Sequence, residues 1–153
     1  MPDRKTHLGV GSLVGVAVGV YTARNLEGWP VLARILGAVL GSVAGAALPD
    51  ALEPALHSWH RRSFHSWGAL AGTAGVTLGP PAAARRWMEE REAAAGRWRA
   101  LREALPLGHP DRAGLWLAEM LEHFLVATAL GLPAGYASHL VLDAASPRGL
   151  PPS

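Results

Sequence analysis

The chain of 153 residues has no cysteine, so it has neither disulfide bonds nor a thiolate metal site. Phenylalanine and tyrosine occur only twice each, although half of the residues are hydrophobic and 18 are glycine. The apolar content is therefore aliphatic and small, which suits helices that pack closely in lipid better than it suits a core in water. The net charge of +2 is low and does not argue for a nucleic-acid partner.

Three apolar segments carry glycines four residues apart, and each set forms a smooth stripe along a helix. Such stripes let helix backbones approach each other in a bilayer, whereas in water each interior glycine costs about 1 kcal/mol relative to alanine. This favours membrane helices over the alternative, a soluble bundle of glycine-rich helices. The segments are 8–23 with Gly11, Gly15 and Gly19; 31–48 with Gly37, Gly41 and Gly45; and 67–84 with Gly68, Gly72, Gly75 and Gly79.

A fourth apolar segment covers 115–130, and Gly131-Leu132-Pro133 predicts a kink or break before a further helical stretch over 134–145. Each segment is near the lower end of the ~17–25 residues that span a bilayer. Arg34, near the start of the second segment, is expected to snorkel to the membrane surface. We therefore predict an all-α fold, a small multi-span membrane bundle of about four apolar helices in one domain over 1–153. A signal peptide is a weaker alternative for the first segment, because the second apolar run follows it closely.

The region 85–112 has a different character, because arginine and glutamate alternate there with Trp87, Met88 and Trp98. This pattern predicts an amphipathic, salt-bridged helical insert that ends at Pro106 and Gly108. We expect the insert to lie at the membrane surface with its tryptophans among the lipid headgroups. A basic nucleic-acid patch is a weaker interpretation, since the acidic residues nearly balance the basic ones.

A count of the predicted membrane crossings places the polar residues of the chain on one membrane face. The first two segments leave one membrane face and return to it at the polar stretch 48–66, and the next two segments repeat this path. His139 and Asp143, four residues apart, share a helix face and can hold one ion. His123 lies mid-segment and His109 lies in a Gly-His-Pro turn, so neither is predicted to be a ligand. The residues that this count places on one face are His7, Asp50, Glu53, His60, His65, His139 and Asp143.

Three motifs in this order resemble the YdjM-like family of membrane-bound, metal-dependent hydrolases. They are L-P-D at 48–50, H-R-x-x-x-H-S at 60–66 and G-Y-x-S-H-x-x-x-D-x-x-S-P-x-G at 135–149. An early histidine also matches, at His7, whereas the insert matches no motif. The chain departs from the family pattern at Arg62, Phe64 and Ser146, and none of these departures removes a candidate ligand. The family's His/Asp pattern is similar to that of the zinc-dependent phospholipase C and single-strand nuclease group, which implies a phosphate-ester substrate.

The leading hypothesis is a metal-dependent hydrolase in the bilayer, expected in the bacterial inner (cytoplasmic) membrane, with a lipid-linked or phosphate-ester substrate. A bound zinc-type divalent ion would activate water, Glu53 would be a ligand or a base, and Arg61 or Arg62 would hold a substrate phosphate. One alternative is a small membrane transporter that uses the same His/Asp cluster, and a second is a purely structural membrane protein. The expected metal ligands are His7, Asp50, His60, His65, His139 and Asp143, and the expected catalytic residues are Glu53 and Arg61.

Overall fold

The computed structural model describes residues 4–52 and 64–146, and it folds them into five α-helices with no strand in those ranges. The all-α prediction is therefore confirmed. In chain order the helices are α1 (Arg4–Thr22), α2 (Trp29–Leu52), α3 (Trp67–Leu78), α4 (Ala82–Ala104) and α5 (Asp111–Ala144).

The long helix α5 is the centre of the bundle, because each of the other four helices packs against it. Helix α1 runs antiparallel to α2: Gly11 lies beside Ala46, and Gly19 lies beside Ile35. Helices α2 and α5 run parallel, with Gly37 beside Phe124. The start of α1 and the ends of α2 and α5 therefore lie at the same end of the bundle.

The glycine stripes of α1 and α2 are contact surfaces, as their spacing predicts. A Cβ atom added to Gly15 would lie 2.9 Å from the carbonyl oxygen of Ala38, and one added to Gly41 would collide with the carbonyl oxygen of Thr128. Helix α5 contributes Gly131 and Gly135 to the same seam. By contrast, the third stripe is not a contact surface among the described residues, because a Cβ atom at Gly72 or Gly75 would meet nothing within 4 Å.

On α2, large apolar side chains lie on the outside of the bundle, and small ones lie inside. On α2, Leu32, Leu36 and Leu40 form one exposed face, while Ala38 and Ser42 are fully buried. Two helices, α2 and α5, are long and apolar enough to cross a membrane by length and composition. Crossing by all four apolar segments stays a prediction, since α3 has 12 residues and a length of about 18 Å.

Helices α3 and α4 together run antiparallel to α5. Near the start of α3, Ala69 and Leu70 pack against the cluster of Tyr136 and Leu140, while in α4 Arg99 reaches back to Glu119. The insert thus packs along the first half of α5, while its position at the membrane surface stays a prediction. Its arginines find buried or half-buried carboxylates on α5, which gives the charged helix a specific place in the bundle.

Two predictions about local structure are wrong. The break predicted at 131–133 does not occur, because α5 continues through Pro133. The backbone of Leu132 is held against Gly45 of α2 at this point, and such packing lets a helix tolerate proline. Arg34 does not snorkel: its side chain is buried, and it donates hydrogen bonds to Glu92 and to Nδ1 of His123.

Candidate metal centre

Five of the six expected metal ligands lie together at the end of the bundle where α1 begins and α2 and α5 end. His60, Glu53, Arg61 and Arg62 lie outside the described residues. The five ligands come from three helices and from the residue pair that precedes α3. Two overlapping groups of them could hold a metal ion, and both groups include His139. These groups are His7, His139 and Asp143, and Asp50, His65 and His139.

His139 has a fixed orientation, because its Nδ1 atom lies 2.7 Å from the backbone carbonyl oxygen of Ala46. A carbonyl oxygen only accepts, so Nδ1 must carry the proton and Nε2 presents a lone pair. That Nε2 atom is buried, has no hydrogen-bond partner and lies 3.5 Å from Asp143 Oδ2 and 3.7 Å from Asp50 Oδ1. A lone pair aimed at two carboxylate oxygens is unfavourable, so this arrangement calls for a metal ion between these atoms or a proton on Nε2.

His65 is held in place by its neighbours in sequence and by α5. Ser66 caps α3, since its hydroxyl oxygen accepts a hydrogen bond from the backbone N–H of Ala69 at 3.1 Å. The hydroxyl of Tyr136 donates to the carbonyl oxygen of Phe64 at 2.9 Å. These two bonds fix the backbone on either side of His65, whose Nε2 atom lies 3.3 Å from Asp50 Oδ1.

His7 completes the cluster from the first helix. Its ring stacks on the ring of His139 at 3.8 Å, and its Nε2 atom lies 3.6 Å from Asp143 Oδ1. Burial, followed by the neighbouring His139, lowers the pKa of His7, although the carboxylates of Asp143 and Asp50 oppose this effect. The lowered pKa favours the neutral imidazole of His7, which is the state that ligates a metal.

The Asp143 carboxylate joins the two groups, because its two oxygens face different histidines. Oδ1 faces His7, while Oδ2 faces His139 and also lies 3.9 Å from Nε2 of His65. Asp143 is fully buried, whereas the side chain of Asp50 is 46% exposed and borders the solvent. The site is therefore closed on the protein side and open at Asp50.

The donor set fits a zinc-type ion in both chemistry and spacing. Neutral imidazole nitrogens and carboxylate oxygens are standard zinc ligands, at about 2.0–2.2 Å from the metal. Two ligands of a tetrahedral ion at that distance are separated by about 3.3–3.6 Å. Nitrogen–oxygen separations here run from 3.3 Å for His65 and Asp50 to 3.9 Å for His65 and Asp143. The donor atoms within each group of three lie within 4.8 Å of one another, so a contraction of about 1 Å would bring either group to the separations of a tetrahedral ion.

The two other histidines in the described ranges, His123 and His109, lie away from this cluster. His123 is buried towards the opposite end of the bundle, beside Arg34, and His109 lies in the turn before α5. Three features of the site were missed by reasoning on the sequence: the Ala46 carbonyl, the Tyr136 hydroxyl bond and Arg4, which lines a cavity beside His7. Tyr136 belongs to the third motif, so its position in that motif was a usable signal. A backbone carbonyl carries no signal in the sequence.

Comparisons of the chain with protein-family models, with curated proteins and with solved structures give no match.

Proposed function

We propose that this protein is an integral-membrane, metal-dependent hydrolase that cleaves a phosphate ester or a lipid-linked substrate. One observation carries the proposal: three buried imidazoles and two carboxylates meet at one end of an apolar bundle, with the His139 lone pair directed at both carboxylates. Burial of so many polar groups in apolar surroundings is costly without a cation to pair them.

The bundle itself supports a membrane location. Helices α2 and α5 are long and apolar enough to cross, and the face of α2 that carries Leu36 is exposed. The helices meet through glycine, alanine and serine, and such small-residue seams are typical of helices packed in lipid. Between Arg34 and Asp50, α2 rises about 24 Å, which approaches the thickness of a bilayer core. The bacterial inner membrane is the location we propose.

Each residue of the centre has a stated role in this proposal. The ion is held by His65, His139, Asp50 and Asp143. His7 is a further ligand, on the side of the Asp143 carboxylate that carries Oδ1. A bound zinc-type ion would supply a Lewis acid for the phosphoryl oxygen and would lower the pKa of coordinated water to about 7. Ala46 keeps His139 in the tautomer that ligates. His60 is proposed as a further ligand, Glu53 as a ligand or base, and Arg61 and Arg62 as phosphate-binding residues.

The substrate class rests on the resemblance to the YdjM-like hydrolases and, more distantly, to the zinc-dependent phospholipase C and nuclease group. The order of the three motifs and the spacing of His139 and Asp143 carry that resemblance. The alternative is a small transporter that binds a cation with the same residues. A transporter needs ligands along the depth of the bilayer, and the confinement of this cluster to one end supports the enzyme.

The proposal is tested by hydrolysis assays on detergent-purified, metal-loaded protein. A phosphomonoester, a phosphodiester, a phospholipid and a carboxylic ester should be compared in parallel. We expect cleavage of a phosphate ester that a chelator abolishes, that Asp143→Asn reduces at least 100-fold and that His109→Ala leaves unchanged. Cleavage that survives in Asp143→Asn, or no cleavage of any of the four by metal-loaded protein, would contradict the proposal.

A further inference from the structure

A cavity of about 270 Å³ lies between α1 and α2 and opens beside the candidate metal centre. At its polar end are His7 and Asp50, two residues of the centre. Its walls are otherwise small and apolar, from Leu8, Ala46, Ala47 and Ala51. Arg4 also lines this cavity and is the only arginine among the described residues that do so.

Arg4 has the properties of a ligand-binding cation. It lies three residues before His7 on α1, so the two side chains project from the same side of the helix. Among the described residues Arg4 has no ion-pair partner, in contrast to Arg34, Arg91, Arg99 and Arg102, which all pair with glutamates. It also stands in the first turn of α1, where the helix dipole favours an anion.

The charges and the buried histidine point to an anion. A divalent ion at the centre would offset the two carboxylates, Asp50 and Asp143, and the guanidinium of Arg4 would then be the surplus positive charge at the cavity. His7 is only 2% exposed, and neither of its ring nitrogens has a hydrogen-bond partner, so if one nitrogen binds the ion the other can donate to an anion. A guanidinium beside a metal ion suits a phosphate group, whose oxygens accept hydrogen bonds from the guanidinium and can coordinate the metal.

We propose that this cavity is the substrate's head-group site, that its ligand is a phosphate-type anion, and that Arg4 is the residue that holds it. The alanine walls would then receive the first apolar atoms of the attached group. The inference rests on the proposed function for its substrate class, but the anion site can be measured without turnover.

The test is binding of radiolabelled inorganic phosphate to the detergent-purified full chain, with bound metal measured on the same samples. We expect Arg4→Gln to weaken phosphate binding about tenfold or more, which is the loss of a charge-assisted hydrogen bond, and to keep the metal content of the wild type. Arg4→Lys should recover part of the affinity. The matched control is Lys5→Gln, which removes the neighbouring exposed cation and should have little effect.

A soluble ester and a lipid can both supply the phosphate head, and two further probes separate these sources. Tighter binding of dihexanoyl phosphatidate than of glycerol phosphate, lost in Ala47→Leu, would identify a lipid source, while equal binding would identify a soluble one. Either result supports the site if it depends on Arg4. Equal weakening by Arg4→Gln and Lys5→Gln, or no weakening by either, would overturn the inference. If the purified wild type contains no metal and Arg4→Gln still weakens phosphate binding, the anion site is upheld. The proposed metal-dependent function is then contradicted.

Discussion

The Nδ1 atom of His139 on α5 lies 2.7 Å from the carbonyl oxygen of Ala46 on α2. This bond spans the seam where the two helices touch through backbone, since a Cβ atom on Gly45 or Gly135 would collide with the other helix. The close approach of the helices and the orientation of the imidazole are therefore one structural feature. Glycine packing brings the carbonyl to His139, and the carbonyl directs Nε2 towards Asp50 and Asp143.

The tautomer of His139 can be measured directly. In metal-loaded protein, ¹⁵N-labelled histidine should show a protonated Nδ1 and an unprotonated Nε2 for His139, because the Ala46 carbonyl accepts only from Nδ1 and the ion takes the Nε2 lone pair. His109 is the control and should show the opposite tautomer, because its Nδ1 accepts a hydrogen bond from the backbone N–H of Asp111. A His139 resonance with the proton on Nε2 would contradict the described geometry.

Alanine substitutions should separate packed glycines from open ones. Gly41→Ala should destabilise the fold by about 2 kcal/mol or more, because its methyl group would collide with the Thr128 carbonyl oxygen. Gly72→Ala is the matched control and should be neutral or stabilising by up to about 1 kcal/mol, since its Cβ atom would meet nothing within 4 Å. Thermal unfolding in detergent measures both. Equal melting of the two variants would mean that the seam is not a packed interface.

The Arg34–Glu92 ion pair should respond asymmetrically to the loss of either partner. The Arg34 side chain is 4% exposed and that of Glu92 is 55% exposed. Glu92→Gln leaves a buried guanidinium without its carboxylate and should cost about 2 kcal/mol. Arg34→Met leaves Glu92 in contact with water and should cost less than about 1 kcal/mol. Denaturation in detergent measures the loss of unfolding free energy in each variant. A larger loss for Arg34→Met than for Glu92→Gln would show that Arg34 is not a buried charge that needs its partner.

The membrane topology is open to a labelling test, because the chain has no cysteine of its own. Lys5 lies at the end of the bundle that carries the candidate centre, and Glu27 lies in the connection at the opposite end. Single cysteines at these two positions should react with an impermeant thiol reagent from opposite sides of sealed vesicles. Labelling of both positions from the same side would contradict a bundle that crosses the bilayer.

The sequence predicted the helices and the packed stripes well because both depend on local periodicity. Apolar segments and glycine spacing identified α1 and α2, and counting crossings placed His7 and His139 at the same end. The extent of α5 could not be predicted this way. Pro133 disfavours a helix locally, and only its packing against α2 overrides that preference.

The packing of the charged insert against α5 could not be predicted from local sequence patterns either. Its alternating arginines and glutamates predict an amphipathic helix, and α4 is that helix. Its partners, however, are carboxylates in α5 such as Glu119, which is 1% exposed, and no feature of the apolar segment around Glu119 marks it as buried against arginines. The same limitation applies at the centre, where the Ala46 carbonyl becomes visible only once α2 and α5 are packed.

The central claim is that His65, His139, Asp50 and Asp143 hold a divalent ion, and metal analysis of detergent-purified protein tests it most directly. Wild-type protein, His109→Ala and His123→Ala should retain stoichiometric metal. His65→Ala and His139→Ala should each lose it, and the effects should be non-additive, since one histidine has little to hold without the other. Bound metal should also fall as the pH is lowered, because a ligating imidazole must be neutral. Stoichiometric metal in the His65→Ala, His139→Ala double variant would contradict the account.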